Sequence, residues 1–276
     1  MKLFLAVALT MTAFAANSVL NRIGVANYDM SPMSFAAIRV AAGATMLWAL
    51  IGLRSAPAPA IVSPKRLAGA VALATYMIGF SWAYQSLDAG IGALILFGAL
   101  QVVIFGWAII EKQKVSAQRW LGMLTALGGL CVLLWPSEAR AMPATSILAM
   151  VAAAVAWGAY TLLGRREADP LGATASNFLL CVPLVCIGFI SSGPLPFMGI
   201  VTAIVAGGVT SGLGYALWYR VLPSLPTTIA GIAQLSVPVI AVAFGVVFLN
   251  ETVSLRMTIS GVLVLGGIAV SLYGQK

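Results

Sequence analysis

Apolar runs of about twenty residues, broken by short polar stretches, recur from one end of the chain to the other. A helix needs about 20 apolar residues to cross the hydrocarbon core of a bilayer. Ten runs of that order can be marked, near 3–21, 32–53, 66–86, 90–110, 118–135, 145–164, 171–191, 197–219, 226–249 and 255–273. The breaks hold turn residues and most charges: Pro57 and Pro59, "EKQK" at 111–114, "WPSEARAMP" at 135–143 and "RREADP" at 165–170. No break is long enough to be a soluble domain. The pattern predicts an all-α integral membrane protein of ten transmembrane helices.

Composition removes the soluble alternative. The chain is 61% hydrophobic and only 8% charged, with mean hydropathy +1.04. A soluble domain carries about 25% charged residues, so these few charges could not cover the surface of a water-soluble fold this size. The net charge of +8 raises nucleic acid as a partner, but Lys and Arg stand singly or in pairs between apolar runs, with no basic patch. Cys131, Cys181 and Cys186 all fall inside apolar runs, an odd set with no metal spacing. The chain has no histidine, the commonest metal ligand and general acid or base. No metal, cofactor or nucleic acid is expected.

Lys and Arg in short loops set orientation. With the N-terminus in the cytoplasm, eleven lie inside: Lys2, Arg54, Lys65, Arg66, Lys112, Lys114, Arg119, Arg165, Arg166, Arg220 and Lys276. Arg22, Arg140 and Arg256 lie outside, and Arg39 falls within a span. Both ends of the chain are expected in the cytoplasm of a bacterial inner membrane.

The chain also matches itself. "AFAANSVLNR" at 13–22 aligns with "AWGAYTLLGR" at 156–165, and "TYMIGFSWAYQSL" at 75–87 with "TSGLGYALWYRVL" at 210–222. A third pair is "VSAQRWLGMLTALGGLCV" at 115–132 with "VSLRMTISGVLVLGGIAV" at 253–270. Three pairs in the same order define a unit of five spans, residues 1–140 and 141–276. An odd number of spans turns the second unit upside down, the inverted-topology repeat of many secondary transporters. The repeat also decides an ambiguity at the N-terminus. Ala13-Phe14-Ala15 looks like a signal-peptidase site, but its internal twin marks the first run as a structural helix.

With these features the sequence resembles the EamA-type exporters of the drug/metabolite transporter superfamily. The similarity rests on "AWGAYTLLGR", on Arg39 in "FAAIRVAAG", and on Pro238 to Glu251 in "VPVIAVAFGVVFLNE". The first half keeps Glu111 but has Gly98 for the proline, and Phe14-Ala15 for Trp-Gly. The resemblance implies export of small metabolites, often amino acids, by alternating access through a central cavity. The aromatic content of the cavity spans points to the aromatic amino-acid exporter branch.

Candidate substrate contacts are polar or aromatic residues deep in spans. Tyr76 and Tyr215 carry phenols that need partners in hydrocarbon. Trp157 and Tyr160 join them on the sixth span, and Ser211 lies in the glycine-rich stretch "AGGVTSGLG" beside Tyr215. Gln101, Gln234 and Asn17 offer amides, which suit either pole of a zwitterion and also serve interhelical packing. Tyr84, Trp218 and Tyr219, near span ends, read as an interfacial belt. Gly214 and Pro238 are candidate hinge or gate positions, Pro226 and Pro238 as kinks. Arg39 reads as a structural charge that snorkels outward or pairs with Asp29; in the second half Asn177 stands at the matching position.

All seven acidic residues fall in loops or at span ends, whereas proton antiporters place a carboxylate or histidine inside the membrane. Uniport or exchange without proton coupling is therefore expected. A membrane-embedded enzyme would need an activated nucleophile or metal, and none is visible. Other small metabolites or drugs remain alternative substrates, and a non-transport membrane bundle the alternative class. One chain holding both repeats could act as a monomer.

Overall fold

The computed structural model describes residues 2–54, 59–112, 115–135, 142–164, 167–189, 193, 195–225 and 233–273. Among these residues the fold is helical, without strands. In chain order the helices are α1 (Lys2–Arg22), α2 (Pro32–Gly52), α3 (Pro64–Ala83), α4 (Ala89–Ile110), α5 (Ala117–Leu134), α6 (Ala144–Gly164), α7 (Pro170–Phe189), α8 (Phe197–Val221), α9 (Ser236–Leu249) and α10 (Leu255–Tyr273). Serine caps start several of them. The Ser31, Ser63 and Ser116 hydroxyls accept from the backbone N–H groups of Ser34, Arg66 and Arg119, satisfying donors left over in the first turn. Pro32 and Pro64 follow two of these caps, where a missing N–H costs nothing.

Among the described residues, eight helices are long and apolar enough to cross a membrane: all but α3 and α9. Polar residues dilute α3 (Thr75, Tyr76, Ser81), and α9 is a shorter apolar helix of 14 residues. The run expected from 226 begins outside the described residues, as do Pro226 and Glu138. The surface carries large apolar side chains such as Phe4, Leu53, Val71, Leu124, Ile187 and Val262, as a lipid-facing surface should. The first apolar run is a packed helix: Ala15 is fully buried, and Met11, Asn17 and Asn21 face inward.

Helix α2 packs on α7 and on the middle of α8, α3 on α6 and α7, α4 on α6 and α9, α1 on α8 and α9, and α5 on α10. Small residues make the tightest crossings. A Cβ on Gly207 of α8 would run into the Arg39 carbonyl of α2. On α5 and α10, Gly122 and Gly267 face one another so closely that a Cβ on either would meet backbone at 2.5 Å. Such contacts bring backbones together where no hydrophobic effect drives helices to associate.

Helix α8 is not regular. Residues Ala206–Leu213 form a π-helical stretch between its two α-helical parts. A π segment inside an α-helix turns the following side chains out of their expected phase, frequently at functional sites. Here it carries Gly207, Thr210 and Ser211 into the centre of the bundle, all buried.

Candidate functional site

Aromatic rings from both halves of the sequence meet at the centre. Tyr76 of α3 lies 5.2 Å from Phe80 and 5.0 Å from Trp157 of α6. Trp157 stacks on Tyr160 at 5.6 Å and on Tyr215 of α8 at 5.4 Å. Phe14 and Phe178 close on Tyr215 edge-on, at 5.6 and 5.8 Å. The separations all fall in the range favoured by ring quadrupoles, as do the stacked and edge-on angles around Tyr215. Four expected residues, Tyr76, Trp157, Tyr160 and Tyr215, thus form one chain of contacts. The rings fill the centre: Phe178 is fully buried, and Tyr76, Tyr160 and Tyr215 are nearly so.

Beside the rings sits Arg39. It was expected to snorkel or to pair with Asp29; instead it is completely buried. Its Nε donates to the Ser211 hydroxyl at 3.2 Å, and Nη2 donates to the Tyr76 hydroxyl at 3.4 Å. The guanidinium lies 5.2 Å from the Phe80 centroid and 5.6 Å from that of Tyr76, where ring faces attract a cation. The approach of α8 at Gly207 and the π segment explain the correction, since they bring Ser211 to Arg39 and seal it from the membrane surface. Nη1 has no hydrogen-bond partner among the described residues.

Amides and hydroxyls extend this knot. The Asn17 side chain donates to Ser211 at 3.3 Å and accepts from Thr210 at 2.8 Å. Asn21 donates to the Asn17 carbonyl and accepts from Ser81, both at 2.9 Å. Asn17, Arg39, Tyr76 and Ser211 therefore come together. Asn21, Ser81 and Thr210 join them without having been expected; their signal was polarity within apolar runs. Gln101 is half-buried on α4. Gln234 is half-buried just before α9.

Other expectations need revision. Tyr84 is fully buried with its ring 4.7 Å from Phe80, and Trp218 packs on Phe14. Neither is an interfacial belt residue; their helices turn them toward the core. Tyr219 lines a pocket described below. Pro238 stands in the first turn of α9, just past a turn at Leu235 that separates this helix from helical Ala233 and Gln234. Pro183 lies inside α7. Gly214 begins the second α-helical part of α8, packed at ordinary contact distance from Ala13 and Phe14.

Polar contacts between the halves occur at both ends of the bundle. At the Arg22 end, the Glu251 carboxylate accepts from the Ala89 N–H at 2.8 and 3.0 Å, at the start of α4. Arg22 lies 3.9 Å from Glu251 and 3.7 Å from Asp88, and donates to the Tyr84 and Gln85 carbonyls. Burial raises the Glu251 carboxyl above its ordinary range, against the pull of the Ala89 N–H and Arg22. At the opposite end, Arg54 grips Asp169 through two hydrogen bonds of 2.9 and 2.7 Å. Lys65 and Arg66 hold Glu167 at 2.6 and 2.8 Å. These partners lower the carboxyls: the hydrogen bond from Arg66 does most for Glu167, and that from Arg54 for Asp169.

A narrow cleft opens beside the Lys65–Arg66–Glu167 cluster, between α3, α6, α7 and α8, with free room of ≈ 10 Å³, about that of one water molecule. Tyr160, Thr174, Asn177 and Tyr219 line it further in. Among the described residues no group of His, Cys, Asp and Glu could hold a metal ion.

The chain is similar to known proteins over most of its length. A family model described as the EamA-like transporter family matches residues 144–273. A Pseudomonas aeruginosa protein described as uncharacterized is 42% identical over 96% of this chain and 92% of its own. The Bacillus subtilis "uncharacterized transporter YwfM" is 25% identical, with 81% and 78% of the two chains covered. A "probable terminal-alkyne amino-acid exporter" of Streptantibioticus cattleyicolor is 23% identical over 95% of this chain and 91% of its own. One crystal structure of a protein 18% identical superposes with a TM-score of 0.70, covering 100% of this chain and 99% of the other. The polar knot, the central rings and the apolar outer surface accord with these similarities, and the chain belongs to the EamA-like transporters of the drug/metabolite transporter superfamily.

Proposed function

We propose that the protein exports small zwitterionic metabolites, aromatic and neutral amino acids first among them, by alternating access. The observation that carries this reading is the centre itself: a wall of rings beside one buried guanidinium with a spare donor, Arg39 Nη1. A substrate with an aromatic side chain and a carboxylate complements both. Tyr76, Trp157, Tyr160 and Tyr215 receive the side chain, Asn17 and Ser211 neighbour the polar head, and Gln101 and Gln234 flank the path. The printed name of the Streptantibioticus relative accords with this substrate class.

In this reading α3 and α9 also cross the membrane. That makes ten spans in two inverted sets, residues 1–140 and 141–276. The packing supports it: α1 on α9 mirrors α6 on α4, and α5 pairs with its counterpart α10. Lys and Arg distribution assigns the Arg54 end to the cytoplasm and the Arg22 end to the outside. The rings touch in this closed centre, so substrate enters when the two halves part at one end and leaves when they part at the other. Every acidic residue described lies outside the helices, which supports flux uncoupled from protons.

The test is uptake of labelled phenylalanine, tryptophan, threonine and alanine into proteoliposomes holding the purified protein, with and without a pH gradient. Saturable uptake that favours the aromatic substrates and ignores the gradient is expected. Amino-acid flux that follows the proton gradient contradicts uncoupled transport. Absence of all amino-acid flux contradicts the substrate class and turns the search to other metabolites or drugs.

A further inference from the structure

The cleft at the Arg54 end presents an arrangement that the central site does not explain. Lys65 and Arg66 occupy the first turn of α3, a turn without acidic residues. Cations there oppose the positive end of the helix dipole, so the site has a standing demand for negative charge. Glu167 meets it across the interface between the halves, held at 2.6 Å by Lys65 and 2.8 Å by Arg66. Two cations against one carboxylate leave the cluster net positive. Arg66 Nε also has no hydrogen-bond partner among the described residues.

Deeper in the same cleft lie two polar groups without partners. The Tyr160 hydroxyl sits near Thr174 and Asn177 without closing a hydrogen bond to either, and Asn177 Oδ1 is likewise unmatched. Tyr160 is 3% exposed and Asn177 7%. Thr174 has no proton to give either oxygen, because its hydroxyl donates to the Pro170 carbonyl at 2.8 Å. Buried polar atoms are almost always paired, and leaving one unpaired costs about 1–3 kcal/mol. The Asn177 amide is held close by α3: a Cβ on Gly69 would meet its three side-chain head atoms at 2.8–3.0 Å. The cleft therefore has a net-positive mouth and, behind it, a phenol and an amide oxygen whose lone pairs meet no donor in this closed form.

We propose that this cleft is a cytoplasmic entry subsite for the head group of a zwitterionic α-amino acid. As Glu167 gives way and the cleft widens, the carboxylate takes Lys65 and Arg66 in its place, and the ammonium donates to Asn177 Oδ1 and the Tyr160 hydroxyl oxygen. Because Glu167 is one of the ties between the halves, a substrate that displaces it loosens the closure through which it must pass. The proposal rests on the amino-acid reading of the central site, yet it concerns different atoms and only one face of the membrane. Tyr160 belongs to both places, its ring stacked on Trp157 and its hydroxyl turned to the cleft.

The experiment compares labelled phenylalanine uptake into inside-out and right-side-out membrane vesicles for wild type, Tyr160→Phe and Asn177→Leu. Tyr160→Phe keeps the ring against Trp157, so its result does not depend on refolding of the core. KM measured from the cytoplasmic face is expected to rise about tenfold in each variant, while KM from the outer face stays put in Asn177→Leu. Phenethylamine, which lacks the carboxylate, should compete at the cytoplasmic face much less well than phenylalanine against wild type. A KM of Asn177→Leu unchanged on both faces, or raised equally on both, overturns the entry subsite while leaving the central site standing. A wild type that moves no phenylalanine in either vesicle overturns the amino-acid reading itself and this proposal with it.

Discussion

Arg39 on α2 and Asn177 on α7 hold matching positions in the two halves of the sequence, yet their surroundings differ. Arg39 is sealed: two of its nitrogens are bonded, rings of Tyr76 and Phe80 lie against it, and Gly207 admits the backbone of α8. Asn177 is nearly as buried but keeps an unmatched carbonyl facing a cleft that opens to one end. The difference follows from charge. A guanidinium inside a membrane protein must gather partners or be expelled, so it organises a knot around itself. An amide is tolerated with fewer partners, and so the same place in the other half can remain open.

The largest effect should come from erasing that difference. Arg39→Asn removes the charge, takes the donor from the Tyr76 hydroxyl and leaves Ser211 with Asn17 alone, and flux of phenylalanine in proteoliposomes should fall about 100-fold, equivalent to roughly 2.7 kcal/mol. Next is the crossing that seals the knot. Gly207→Ala drives a Cβ into the Arg39 carbonyl, and overpacking of this kind costs about 1–3 kcal/mol; a lower Tm of the detergent-purified protein checks it. Gly208→Ala, where the nearest atom is Met46 at 3.8 Å, should leave Tm unchanged.

The two ends of the bundle extend the comparison to pH. Glu251 has a raised carboxyl in the closed structure, so closure of the Arg22 end is favoured at low pH and weakens as pH rises through that raised value. Glu167 and Asp169 are lowered, so closure of the Arg54 end is complete above the ordinary carboxylate range and is lost as pH falls through their lowered values. Acid should therefore hold one end shut and release the other. Hydrogen exchange is the measurement: amides near Ala89 should gain protection on acidification and lose that response in Glu251→Gln. Amides near Gly172 should lose protection under the same change. The smallest effect is expected from Asp169→Asn, since its carboxylate is 43% exposed and such pairs are worth about 0.2–1 kcal/mol; Tm should move by a few degrees at most.

Much of this fold is legible in the sequence because crossing a bilayer imposes a length and an apolar composition, and eight of the helices meet both. The residues of the knot were also visible one by one, since Asn17, Arg39, Tyr76 and Ser211 are polar or charged within apolar runs. Their mutual contact was not. It depends on the π segment Ala206–Leu213, which shifts the phase of α8 in a way that no regular helical period gives. Depth misled in the same manner. Tyr84 and Trp218 are near helix ends, which suggests an interfacial belt, but which way a side chain faces is set by neighbouring helices. The grip of Glu251 on Ala89 joins residues 162 positions apart, and nothing local announces it.

The most direct test of the central claim is counterflow of labelled phenylalanine in proteoliposomes, wild type against Arg39→Asn, with phenethylamine as the unlabelled competitor lacking a carboxylate. The account predicts that wild type exchanges phenylalanine, that phenethylamine competes poorly, and that Arg39→Asn exchanges almost none. Equal exchange by Arg39→Asn would show that the buried guanidinium only holds helices together and takes no part in recognising substrate.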